Sequence, residues 1–515
     1  MFREYRYAIL LVLGVSTAIG CSSQPTLQCE AIQDRPIDGV SISQARYRPG
    51  EAGLPEFCQV QGTIDPQIGF EARLPMRAWN GKFFQAGCGG YCGSVLADKP
   101  GLSNTINVAL RRGYAAITTD GGHKGGPGDA AWAKDNPEAV VVYAHKAIPL
   151  TYRAGIGLVQ RLYKRAPDKA YFSGCSNGGR MAAMAAQRYP TLFDGIIGGS
   201  GVLDLATSGG VYGSWVVQAN SDPHGERVLT QASFAHKLPL LETTVRQQCD
   251  KADGSEDDLI STPRQCVVDI HALPACTETS NEHCFTAEER RVLAAWYQGP
   301  RDSTGTQLFP GMPPGSERFW AVWFLDTPDR VAIGNGLGGD YAKYLGFGEA
   351  TPSDYSVHDF EFDRDPPKLA KVGRLVNATD PDLRQFRDSG GKFIMWHGWA
   401  DPLVVPDQSV SYYEATAAEL GGFKQLQSFF RLFMVPGHGH CWEIPATAPD
   451  LFDPLDALEA WVEKGEPPDQ IIARRPPNDA NAAPAAALCP HPQTAVQLDS
   501  ESTIGPGICR KQRTD

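Results

Sequence analysis

The stretch Lys169-Ala-Tyr-Phe-Ser-Gly174-Cys175-Ser176-Asn177-Gly178-Gly179-Arg-Met-Ala-Ala-Met-Ala-Ala186 runs from an apolar segment through G-x-S-x-G into a helix-compatible one. This is the context of a nucleophile elbow, in which a serine sits on a strained turn between a strand and a helix. The flanking glycines let neighbouring backbone approach where a Cβ would clash. Ser176 is therefore the candidate nucleophile.

Two later motifs carry a candidate acid and a candidate base. His397-Gly-Trp-Ala-Asp401 follows the strand-like Lys392-Phe-Ile-Met, and Gly437-His438-Gly439-His440 follows the strand-like Phe430-Arg-Leu-Phe-Met-Val. Ser, then Asp, then His is the chain order of an α/β-hydrolase triad. Apolar runs bounded by glycine alternate with helix-compatible segments from Ala72 to Ser200, as an α/β sheet flanked by helices requires. Strands are expected near 81–85, 114–118, 170–173 and 195–198, with helices over Pro137–Lys164 and Gly178–Tyr189, the second stopped by Pro190. The pattern resumes with a strand near 392–396, a helix near 409–420, a strand near 429–435 and a last helix near 454–463. Between about Leu203 and Asp380 the alternation breaks into a segment rich in Gly, Pro and paired cysteines. Its length and its place between nucleophile and acid predict an inserted lid domain. The organisation expected is an export signal over 1–20, a catalytic α/β-hydrolase domain in two parts, 21–202 and 381–515, and a lid over 203–380.

Cys175 immediately precedes the candidate nucleophile, and Cys441 immediately follows His440. The set of Cys-Ser, Asp and His-Cys resembles the tannase and feruloyl esterase family from about Cys29 to Cys509; relatives that cleave mono(hydroxyethyl) terephthalate carry the same pattern. The resemblance implies a serine esterase acting on feruloyl, galloyl or terephthaloyl esters, with Ser176 as nucleophile, Asp401 orienting the base, and His440 rather than His438 as the base. It implies a Cys175–Cys441 tether, and, together with sequence neighbourhood, the pairs Cys29–Cys58, Cys88–Cys92, Cys249–Cys266, Cys276–Cys284 and Cys489–Cys509. The amide after the nucleophile, that of Asn177, is the expected first oxyanion donor. The second is expected from the loop Gly87-Cys-Gly-Gly-Tyr-Cys92, where the resemblance favours Gly90, with Gly89 next. The narrower alternative is a mono(hydroxyethyl) terephthalate hydrolase; the alternative from another class is a hydrolase-fold binding protein, which would usually carry a broken triad.

Cys249 to Leu259 places carboxylates at close, irregular spacing around Gly254. Hard oxygen donors on a tight loop suit calcium, although the spacing is not that of an EF-hand and a solvated acidic loop is the other reading. The resemblance implies a structural Ca²⁺ held by Asp250, Asp253 and Asp257 with backbone carbonyls of Ser255 and Leu259. No organic cofactor is implied. A zinc site at Cys88 and Cys92, or at His438 and His440, lacks further ligands at usual spacing.

The 515 residues, 42% hydrophobic and 21% charged, suit a globular protein with a large core, and a net charge of −12 without a basic run argues against nucleic-acid binding. Arg3 and Arg6 before the apolar run Ala8–Ile19 read as a bacterial export signal, too short for a comfortable membrane span. Ala18-Ile-Gly-Cys21 resembles a lipobox, so Cys21 would be lipidated and anchor the protein to the outer membrane; periplasmic or extracellular release is the alternative. Setting Cys21 aside leaves twelve of the thirteen cysteines, an even number suited to pairing in an oxidising compartment. Trp320, Trp323 and Phe324 are candidates to stack on an aromatic substrate, and Arg330 to clamp a carboxylate, although a lid core and a surface arginine are the plainer readings. His397 is expected to be a packed, hydrogen-bonded histidine.

Overall fold

A computed structural model of the protein describes residues 24–34, 36–98, 104–254, 256–277, 281–348, 351–352, 354–442, 451–474, 486–496 and 508–511. Cys21 and the export segment lie outside the described residues.

Nine strands form one sheet: β1 Val40–Arg48, β2 Phe57–Ile64, β3 Ile68–Pro75, β4 Lys82–Ala86, β5 Ala115–Thr119, β6 Lys169–Cys175, β7 Gly195–Gly199, β8 Lys392–Gly398 and β9 Phe430–Val435. Their order is β1-β2-β3-β5-β4-β6-β7-β8-β9. The first three strands and the β3–β5 pair are antiparallel, and from β5 onward every pair is parallel. The parallel strands β5 to β9 are buried almost throughout, so they read as continuous apolar runs. The antiparallel edge was not expected from sequence. β3 is buried at all eight positions and so shows no alternation, whereas β1 alternates, with Val40, Ile42, Ala45 and Tyr47 less exposed than Ser41, Ser43, Gln44 and Arg46, but a bulge between Ile42 and Gln44 shifts its phase midway.

Helices cover both faces. The segment expected as one helix over 137–164 is interrupted by a π turn: Pro137–Val141 is α-helical, Val142–Lys146 is π, and Ala147–Tyr163 is α-helical again. Asn136 accepts the Ala139 N–H at its start, Pro137 takes the first turn, and Lys164 ends it in the left-handed region.

Between β7 and β8 the chain leaves the sheet and builds helices, of which Gln231–Cys249 and Ala287–Gln298 are the longest. Their core is separate and aromatic, with Trp296 and Trp320 edge to face at 5.2 Å and Phe234 against Trp320 at 5.8 Å. Ala400 and Val405, which flank Asp401, join that same core. All six expected disulfides are present: 29–58, 88–92, 175–441, 249–266, 276–284 and 489–509. No helix among the described residues is long and apolar enough to cross a membrane.

Candidate active site

β6 runs buried to Cys175, Ser176 turns at φ 62° and ψ −124°, and the helix Asn177–Arg188 leaves at once. Such a positive φ is costly for a serine and holds only where neighbours fix it. Here the Ser176 N–H donates to Gly199 O at 2.9 Å, and Ser176 O accepts from Arg180 N–H at 3.0 Å. The turn needs glycine at 174, because a Cβ there would stand 2.6 Å from the Gly178 backbone.

The candidate acid Asp401 follows β8 and the candidate base His440 follows β9. Asp401 is fully buried, and its Oδ2 faces His440 Nδ1 at 2.7 Å. With Nδ1 donating to the carboxylate, Nε2 is left as the acceptor, the tautomer a general base requires. Asp401 Oδ1 accepts the N–H groups of Leu403 and Val404 at 3.0 and 2.9 Å. Burial alone would raise the pKa of Asp401, but the electrostatic pull of the adjacent His440 ring and the bonds from His397 and His440 outweigh it and hold the carboxyl well below the ordinary carboxylate range.

The other two histidines are packed. His397 has Nδ1 against Ser409 Oγ at 2.8 Å and Nε2 against Val404 O at 2.8 Å, and Nε2 also approaches Asp401 Oδ2 at 3.2 Å. A carbonyl partner requires Nε2 to carry its proton, so His397 is a second donor to the acid. His438 is buried against Gly439 O, and burial lowers its pKa to about 4.

The Cys175–Cys441 disulfide joins the residue before Ser176 to the residue after His440, across 266 positions of sequence. Ser176 and His440 line one cavity of about 120 Å³ together with Gly89 and Gly90. Gly90 has φ 58°, and a Cβ there would stand 2.1 Å from Pro127 O. Among the described residues the Gly90 N–H makes no hydrogen bond. Asn177 opens its helix, where the backbone N–H has no acceptor within the helix.

Trp323 lies edge-on to the His440 ring at 5.4 Å and lines the cavity with Ile333 and Leu337, all three from the segment between β7 and β8. Tyr91 Oη donates to Leu337 O at 2.7 Å, joining that segment to the glycine loop. Trp320 and Phe324 do not line the cavity; both are buried in the aromatic core. Arg330 is exposed and does not line it either.

Asn104 was not found from sequence. Its Oδ1 accepts the Cys175 N–H at 3.2 Å and its Nδ2 donates to Cys175 O at 3.3 Å. The side-chain amide thus pairs with β6 after β4, whose last register partner is Ser173, has diverged. It stands 71 residues from Cys175, and no local pattern marks it.

In the acidic loop Asp250 Oδ2 accepts the Asp258 N–H at 3.3 Å, and Asp257 Oδ1 accepts the Leu259 N–H at 3.2 Å. Ser255 and the Asp253 side chain lie outside what is described. Among the described residues no three His, Cys, Asp or Glu side chains gather as a metal cage.

Comparison with known proteins agrees with this architecture. The family model for tannase and feruloyl esterase matches residues 53–504. An uncharacterized esterase of Xanthomonas campestris pv. campestris is 32% identical over 96% of this chain and 92% of its own. The mono(2-hydroxyethyl) terephthalate hydrolase of Piscinibacter sakaiensis is 33% identical over 91% of this chain and 88% of its own. The crystal structure of feruloyl esterase B from Aspergillus oryzae superposes with a TM-score of 0.81 at 23% identity, covering 94% of this chain and all of that one, a likeness of fold. The chain belongs to the tannase and feruloyl esterase family of carboxylic ester hydrolases.

Proposed function

We propose that the protein is an exported serine esterase that hydrolyses esters of aromatic acids through Ser176, His440 and Asp401. The observation that carries the reading is the Cys175–Cys441 disulfide, which ties the strained Ser176 turn to His440, whose other ring nitrogen is held 2.7 Å from a buried Asp401. In this reading Ser176 Oγ attacks the ester carbonyl while His440 Nε2 takes its proton, and the carbonyl π pair moves onto oxygen. The oxyanion is met by the N–H groups of Asn177 and Gly90. Collapse expels the alcohol, which takes the proton from His440, and water repeats the sequence on the acyl-enzyme to release the acid. The residues over 203–380 act as a lid, supported by the cavity-lining positions of Trp323, Ile333 and Leu337. An aromatic acyl group suits a cavity edged by Trp323 and Trp442.

The narrower reading, hydrolysis of mono(2-hydroxyethyl) terephthalate itself, rests on likeness to the Piscinibacter protein. A panel of methyl ferulate, methyl gallate and mono(2-hydroxyethyl) terephthalate separates them. Turnover of at least one aromatic ester is expected, a dominant kcat/KM for the terephthalate would select the narrower reading, and no turnover of any would overturn both.

Export is supported by six disulfides, which persist in oxidising compartments. Anchoring through a lipidated Cys21 is part of the same proposal, as is a structural calcium in the loop closed by Cys249 and Cys266. Asp250, Asp257 and the Leu259 carbonyl supply hard oxygen donors there but are too few for a calcium cage, so the set depends on Asp253 and Ser255.

A further inference from the structure

Arg180 is the one charged residue in the first two turns of the helix after Ser176, and it is fully buried. Its Nε donates to Asn177 Oδ1 at 2.8 Å, its Nη1 to Ala144 O at 2.9 Å and to Val376 O at 2.8 Å, and its Nη2 to Tyr143 O at 3.2 Å. The guanidinium also lies 5.0 Å over the Tyr143 ring. Every one of these acceptors is neutral. A buried cation held only by neutral oxygens costs stability that an apolar side chain of similar volume would not. Two of the acceptors, Tyr143 O and Ala144 O, belong to the π turn, where the regular helical ladder is broken, a device frequent at functional sites.

What the arginine holds is the side chain beside the oxyanion donors. Asn177 Oδ1 accepts from Arg180 and from Tyr143 Oη, the latter at 3.1 Å, and that hydroxyl shares its single proton with Gly90 O at 3.3 Å. With its oxygen engaged by two donors, the amide can turn only one way, and its Nδ2 donates to Cys88 O at 3.0 Å and approaches Cys92 Sγ at 3.3 Å. Asn177 therefore bridges the elbow, which carries one candidate oxyanion donor in its own backbone, to the Cys88–Cys92 loop, which carries the other at Gly90.

We propose that Arg180 and the Asn177 side chain form a positioning relay that sets the spacing of the two oxyanion donors. Neither side chain touches substrate. Arg180 fixes the orientation of the Asn177 amide, and the amide fixes the glycine loop against the elbow. Misplacing such groups by an ångström lowers rate steeply while leaving ground-state binding largely intact.

The relay rests on the serine-esterase reading, and its test separates the two. Wild type, Asn177→Ala, Arg180→Lys and the double variant are compared by kcat and KM on one aromatic ester, per active site titrated, and by affinity for an aryl trifluoromethyl ketone, whose serine adduct bears an oxyanion. Asn177→Ala keeps the backbone donor, and Arg180→Lys keeps the charge but loses the fork. Each single variant is expected to lose about 10- to 100-fold in kcat with KM changed less than about threefold, and to lose ketone affinity in parallel. The double variant should be no worse than the poorer single one, because both break the same connection. Wild-type kcat in either folded variant overturns the relay, as does a loss of kcat with ketone affinity unchanged or a double variant whose losses multiply. A wild-type protein that neither turns over esters nor binds the ketone overturns the esterase reading instead.

Discussion

Asp401 holds four donors at once: the rings of His440 and His397 and the N–H groups of Leu403 and Val404. This saturation keeps the carboxylate charged in a buried place and fixes the His440 ring plane. Asp401→Asn is expected to lower kcat by about 10⁴-fold, because an amide nitrogen facing Nδ1 selects the wrong tautomer. The check is kcat on an aromatic ester, with a near-ultraviolet spectrum to show that packing is retained; activity within tenfold of wild type would mean that another group orients the base. The pairing of Asp401 with His440 and the shared cavity of His440 and Ser176 were legible because each residue stands in a short motif after an apolar run, and the order of the motifs carried information. The donation from His397 to Asp401 was not legible, since a histidine four residues from an acid at a strand end can face either way. Asn104 and Arg180 act across 71 and 196 residues of sequence, on Cys175 N–H and Val376 O, so no window of the chain contains both ends of these contacts. A lone arginine among alanines and methionines at 180 was the only local sign of the second.

Elements hold these residues in place. The Cys175–Cys441 bond closes a loop of 266 positions, for which the chain-entropy model gives about 5.6 kcal/mol of restriction on the unfolded state. Replacing both cysteines by serine should therefore lower the melting temperature, and should also lower kcat at temperatures where the variant is fully folded, since the same bond ties the neighbour of the candidate nucleophile to that of the candidate base. Thermal melts and kcat at 20 °C separate the two effects, and a folded variant with unchanged kcat would leave the bond a stabilising tie alone. In the acidic loop, exhaustive chelation is expected to lower the melting temperature and to remove one calcium by elemental mass spectrometry; no change in either leaves the loop merely acidic. At this scale the parallel strands and main helices were readable from apolar runs and stop signals. The antiparallel edge was not, because β3 is buried on both faces and the alternation of β1 changes phase at a bulge between Ile42 and Gln44. The contact of Arg180 with two carbonyls of the π turn was not readable either, since it spans 36 and 37 residues of sequence.

For the whole molecule, the buried histidines predict an acid limit. His123, His145 and His438 are each lowered by burial to about 4 from an ordinary value of 6.5. The unfolded chain binds protons at these positions first, so stability is full above about pH 6.5 and falls as pH drops toward 4. Glu317 opposes this: burial raises it to about 6, so its contribution is present below its ordinary 4.5 and is lost as pH rises through 6. Burial lowers His358 and His491 as well and raises Asp120, Asp340 and Asp407 alongside Glu317, while Asp401 and Asp365, held low, side with the histidines; five histidines and these two carboxylates against four raised carboxylates predict a lower melting temperature at pH 4.5 than at pH 7, and an equal or higher one would contradict the neutral histidines. The fold class was legible because the nucleophile elbow, the chain order of the motifs and the alternation of strands and helices agree. The inserted segment was legible only as a break in that alternation, since its aromatic core forms from residues scattered between Tyr212 and Val405. If that segment is a lid, grafting 203–380 onto a related esterase should carry over this protein's ratio of kcat/KM values among aromatic esters, and a chimera that keeps its parent's ratio would place selection elsewhere. Acid-quenching the protein within milliseconds of mixing with a hydrolysable aromatic ester tests the covalent route through Ser176. Intact-mass and peptide analysis should find the aroyl group on the peptide bearing Ser176, with neither adduct nor turnover in Ser176→Ala; an adduct on another residue, or hydrolysis that survives in Ser176→Ala, would contradict the account.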